Sequence, residues 1–181
     1  MLHILLCVPG YQLLMSQAFL SLIPYNTWSS SLKKDNKRRA HWILQLLGSA
    51  MAITGSIIIM LYKDVNFDTT HGRLGLVAVI FTTLSLFTGI PSLFSHSLKR
   101  FIPKSVSKLT HIVLGITTFA LASSCLCYGY DKSSFRTWTG DRVANGVIAF
   151  TGIFTLIMII NPLVTMCKRI FGVVETIRTR Y

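Results

Sequence analysis

Five stretches of roughly 20 residues run through this chain almost without charge, and that feature restricts what it can fold into. Crossing about 30 Å of hydrocarbon at 1.5 Å per residue needs about 20 apolar positions. The stretches cover residues 1–23, 41–62, 74–94, 109–130 and 143–167. Charged residues make up 13% of the chain, against about 25% in a soluble domain, so there is too little charge for a water-facing surface. Connections of roughly 10 to 18 residues leave no space for a soluble domain. The expectation is a single all-α domain over residues 1–181, a bundle of five transmembrane helices embedded in a lipid bilayer. The first stretch reads as a span and not as a cleaved signal. It lacks a basic leader, its apolar run is too long, and Pro9-Gly10 interrupts it near its start.

Orientation follows from the positive charge, because Lys and Arg near span ends are retained on the cytoplasmic side. The loop between the first two spans holds Lys33, Lys34, Lys37, Arg38 and Arg39. The third connection holds Lys99, Arg100, Lys104 and Lys108, and the tail holds Lys168, Arg169, Arg178 and Arg180. The opposite face has Lys63, Arg73, Lys132, Arg136 and Arg142, diluted by Asp64, Asp68, Asp131 and Asp141. The net charge of +12 therefore reads as membrane topology with a cytoplasmic C-terminus, not as a nucleic-acid-binding surface. Met1 then lies on the far side with nothing to carry it across, and a span before it is expected to be missing.

An ionisable residue in or beside a span is costly and is a functional candidate by default. Four of the five histidines, His3, His41, His71 and His111, fall at the starts of the first four spans. Successive spans run in opposite directions. His3 and His71 are thus expected near the non-cytoplasmic face, and His41 and His111 near the cytoplasmic face. Two layers of paired imidazoles suit two haems, each with both axial positions filled and no open site for oxygen. Metal binding, a proton relay and simple interfacial placement remain open on this reading alone. His96, without a partner at its level, reads as interfacial.

The residues around these histidines resemble the cytochrome b561 family, especially its short domain-containing branch of transmembrane reductases. The likeness rests on Arg39-Ala40-His41-Trp42-Ile43-Leu44-Gln45-Leu46-Leu47, on Thr70-His71-Gly72-Arg73-Leu74-Gly75, and on Lys108-Leu109-Thr110-His111 with Gly115 following. Leu14-Met15-Ser16-Gln17-Ala18 resembles the stretch after the family's first haem histidine, which brings that ligand onto His3. Here Ile4 stands where the family usually has proline.

The resemblance implies six helices and two b haems, one held by His3 and His71, the other by His41 and His111. It implies electron flow from cytoplasmic ascorbate to monodehydroascorbate or ferric iron on the other side. It also implies an endomembrane location, in the endoplasmic reticulum or vesicles; a homodimer is left open. Arg39 and Lys108, flanking His41 and His111, are the expected ascorbate contacts, since a cationic rim concentrates and orients an anion. The same residues also satisfy the positive-inside rule. A non-haem helical membrane protein that uses the same histidines for transport or proton relay is the competing class.

Three smaller expectations remain. Gly48, Ala52 and Ser56, spaced four apart, form a small-residue stripe for a neighbouring helix or a flat ring. Pro91 and Pro162 are expected to kink or end their helices. The four cysteines are expected to form no disulfide, and the absence of C-x-x-C-H excludes covalent haem attachment.

Overall fold

The computed structural model describes residues 2–23, 25–26, 28–93 and 104–178; His96, Lys99, Arg100 and Arg180 lie outside them. The chain is an all-α membrane bundle, with no strand among the described residues. Helix α1 spans Leu2–Ser21 and contains a π-helical segment, Pro9–Met15. Helices α2 (Lys34–Tyr62), α3 (Thr70–Leu93) and α4 (Lys104–Tyr130) follow, then a short α5 (Ser133–Thr139) and the long α6 (Asp141–Arg178). Five of the six are long and apolar enough to cross a membrane.

Helix ends differ from the sequence expectation in a consistent way. Helices α2 and α4 begin about two turns before His41 and His111, because the basic residues there are good helix formers and continue the helix into water. Those two histidines are consequently not in the first turn. Pro9 does not stop α1; lacking an N–H and crowding the carbonyl four residues back, it is accommodated by the wider π turns. Pro162 likewise lies inside α6, which runs on to Arg178.

The bundle is small inside and large outside. Ala18, Ala52, Ala78, Ala122 and Ala144 are buried, with Ser49, Thr82, Thr118 and Thr151 among them. Large side chains such as Phe150 (67% exposed) and Leu156 (63% exposed) point outward, where lipid is an adequate solvent. The buried hydroxyls bond back along their own helices: Thr82 to the Ala78 carbonyl at 2.7 Å, Thr118 to Leu114 at 2.7 Å, Thr155 to Thr151 at 2.7 Å.

Helices α1 and α2 approach most closely at two glycines. A Cβ on Gly10 would lie 2.8 Å from the Gly48 carbonyl oxygen, and a Cβ on Gly48 would lie 2.8 Å from that of Gly10. The small stripe on α2 therefore receives α1: Ala52 and Ser56 both meet Cys7. On the opposite side of the chain, Arg136 of α5 ties the α4–α6 turn together. It donates to Asp131 at 2.6 Å, Asp141 at 2.9 Å and Asn145 at 2.8 Å, and the two carboxylates raise its pKa further.

Replacing Gly48 by Val forces a branched side chain against the Gly10 backbone. The expected cost is about 1–3 kcal/mol, read as a lowered thermal unfolding midpoint in detergent. Gly152→Ala, where an added Cβ meets nothing within 4 Å, should leave that midpoint unchanged.

Candidate functional site

Three of the four span histidines are aimed by a hydrogen bond from Nδ1. The Nδ1–H of His3 donates to the Gly55 carbonyl at 2.9 Å, that of His41 to Ala18 at 2.8 Å and that of His71 to Cys125 at 2.9 Å. A carbonyl only accepts, so Nδ1 carries the proton in these three and Nε2 keeps its lone pair. At His111 the Thr88 hydroxyl lies 3.5 Å from Nδ1, and the Ser85 backbone also bonds the ring. Thr88 gives its own proton to the Ser85 carbonyl at 3.1 Å, which leaves its oxygen able to accept.

The rings meet in two pairs. His3 and His71 have centroids 6.1 Å apart and planes at 80°; His41 and His111 have centroids 6.2 Å apart and planes at 87°. Two imidazoles bound trans to one metal, with bonds of about 2.0 Å, place their ring centres roughly 6 Å apart. Among the described residues no group of three or more His, Cys, Asp or Glu converges on a point. Such pairs are therefore suited to a metal whose other ligands come from a macrocycle.

The surroundings fit a flat group. A Cβ on Gly129 would touch the Cε1 of His71 at 3.0 Å, and one on Gly89 would touch that of His111 at 3.3 Å. Both glycines let a ring lie against the neighbouring helix. Around His41 and His111 opens a cavity of about 520 Å³, walled by Trp42, Phe19, Phe119, Gly115 and Ile116 among others, well inside the range of cofactor sites. Lys108 lines it; Arg39 is exposed and is not among its walls. Lys34, Lys37 and Arg38 from α2, and Asn161, Thr165 and Arg169 from α6, line it as well. Sequence reading did not single out Lys34, Lys37, Arg38, Thr165 or Arg169 for this cavity. The helical spacing of Lys34, Lys37 and Arg38 to His41 was the available signal.

His41 and the residue that receives His3, Gly55, are fourteen positions apart on α2, so the two layers lie about 21 Å apart along the helix axis. Between them sits a buried polar and aromatic layer: Tyr11 bonds Thr82 at 3.1 Å, Gln12 bonds Ser123 at 2.9 Å, and Phe19 meets Phe119 edge-on at 5.1 Å. In the His3–His71 layer each Nδ1 also has a thiol beside it, Cys7 at 3.5 Å and Cys125 at 3.4 Å. Arg73, next to His71, donates its Nε–H to the Phe67 carbonyl at 3.2 Å and so secures the loop that leads into α3.

The profile of eukaryotic cytochrome b561 matches residues 2–136. The chain belongs to the cytochrome b561 family. It is 30% identical over 166 residues to mouse (Mus musculus) transmembrane reductase CYB561D2, covering 88% of this chain and 72% of that protein. It is 31% identical to the bovine (Bos taurus) protein over 149 residues, covering 80% and 65%, and 31% identical to the human (Homo sapiens) one over 131 residues, covering 70% and 59%. No solved structure matches. Membership of this b561 family implies haem b binding and a transmembrane reductase.

Gly115 faces the cavity, and a Cβ there meets nothing within 4 Å. Gly115→Leu should therefore fold normally yet fill the space beside His41 and His111. The expected result is a reduced haem b content per chain with an unchanged unfolding midpoint, measured by pyridine haemochrome and thermal denaturation.

Proposed function

We propose that this b561-family chain holds two b haems, one on His3 and His71 and one on His41 and His111, and carries single electrons across a bilayer. The observation that carries the reading is the pair of imidazole–imidazole separations, 6.1 and 6.2 Å, both at bis-axial distance. When bound, each haem would be held by one histidine pair and would supply a one-electron carrier.

The chain's own residues define direction and reactants. Lys34, Lys37, Arg38 and Lys108 line the cavity of the His41–His111 layer. The positive-inside rule assigns that face, and the C-terminus, to the cytoplasm. Cytoplasmic ascorbate, an anion at neutral pH, is the donor. Lys108 in the wall and Arg39 at the exposed rim attract it and turn its oxidisable edge toward the His41–His111 layer. Ascorbate gives up one electron and one proton and leaves as monodehydroascorbate. Tyr11, Thr82 and Phe119 lie between the two histidine layers and would form the medium that the electron crosses to the His3–His71 side. There it reduces monodehydroascorbate, which takes up one proton, or a ferric chelate, which becomes ferrous. The endoplasmic reticulum or a vesicle is the expected membrane.

The anchoring bonds keep Nε2 of His3, His41 and His71 free of a proton, which is the form a metal requires.

The test is haem b per polypeptide in detergent-purified protein, followed by an ascorbate-reduced difference spectrum. Two haems reducible by ascorbate are expected. His41→Ala or His111→Ala should remove one haem and ascorbate reduction together, whereas His71→Ala should leave one haem that ascorbate still reduces. A folded wild-type chain without haem b would refute the reading and favour a transport or proton-relay role for the histidines.

A further inference from the structure

The wall of the His41–His111 cavity contains five cationic residues, Lys34, Lys37, Arg38, Lys108 and Arg169, and no acidic one. Four of these belong to α2 and α4, the helices that carry the two histidines. Arg169 comes from α6, which carries none.

Arg169 also differs in its bonding. Its Nε is buried and has no hydrogen-bond partner among the described residues. A buried guanidinium N–H without an acceptor is costly, so an acceptor at this point has a large effect on the energy of the site. Asn161 and Thr165 precede it at steps of four, and all three line the cavity. They make a polar stripe on a helix whose neighbouring faces expose Ile153, Leu156 and Ile160 to lipid. A polar stripe on such a helix must face something polar. Among the described residues no acidic one lines the cavity, so none of them supplies a carboxylate as the missing acceptor.

We propose that Arg169, with Thr165 and Asn161, forms an anion subsite on α6 that takes an anionic oxygen of an organic acid within this cavity. The inference rests on the reading above, which offers two sources of that chemistry: the propionate of a haem seated on His41 and His111, or the ascorbate anion. In either case Arg169 is a positioning residue that ties the last helix to the cofactor site.

The experiment compares full-length wild-type, Arg169→Gln and Arg169→Lys proteins in detergent. It measures haem b per chain, the reduction potential of each haem and the ascorbate concentration for half-maximal reduction. If the subsite holds ascorbate, Arg169→Gln keeps its haem content and potentials while the half-saturating ascorbate rises about tenfold or more, as loss of a charged hydrogen bond predicts, and Arg169→Lys recovers part of the loss. If it holds a propionate, Arg169→Gln lowers haem content or lowers the potential of one haem only, and half-saturating ascorbate is unchanged in the molecules that retain haem. Unchanged content, potentials and half-saturation together would overturn the subsite while leaving the two-haem reading intact. A wild-type chain without haem b would overturn both, and is recognised before any variant is made.

Discussion

The Nδ1–H of three of the four span histidines is spent on an acceptor belonging to a neighbouring or preceding structural element, and the rest of the site depends on this. An imidazole inside a bilayer has two polar nitrogens to satisfy, and one hydrogen bond satisfies only one of them. Gly55, Ala18 and Cys125 accept from His3, His41 and His71, and the Thr88 hydroxyl lies 3.5 Å from Nδ1 of His111. The second nitrogen of each of the first three rings is thereby held deprotonated, with its partner's ring about 6 Å away. Two rings so placed leave a gap of the size that a metal held by both would need.

Helix packing serves the same end. The Gly10–Gly48 contact brings α1 against α2, which is what allows Ala18 and Gly55 to reach histidines on the partner helix. The π turns at Pro9–Met15 adjust the rotation of α1, so that His3 and Cys7 before them and Tyr11 and Met15 within them all face inward. Alanines and hydroxyls fill the interior because the bulky residues are not needed there; lipid accepts them outside. Stability and cofactor geometry are thus set by the same close contacts.

Much of this was legible in the sequence. Five apolar runs gave the spans, and the positions of four histidines on alternating helices gave the two layers, because both follow from length, period and direction. The boundaries were less legible. Lys34 to Arg38 look like loop by charge, yet they continue α2 as helix and turn one face toward the cavity. Pro9-Gly10 looks like a break, yet tertiary packing carries the helix through it as π turns. Arg169 looked like one more positive-inside residue, since nothing local distinguishes a snorkelling arginine from one whose Nε is enclosed. The pairing of Cys125 with His71 required a three-dimensional contact between helices, which spacing alone does not supply, whereas Cys7 stands four residues after His3 on one helix.

The near-perpendicular ring planes, 80° and 87°, offer a direct test of the two-layer arrangement. A low-spin ferric haem between crossed imidazoles gives a highly anisotropic electron paramagnetic resonance signal, whereas parallel planes give a rhombic one. The measurement is the low-temperature spectrum of the oxidised full-length protein, integrated against polypeptide. Two highly anisotropic low-spin centres per chain are predicted. A high-spin signal, a rhombic low-spin signal or a single centre would contradict two bis-histidine layers of this geometry.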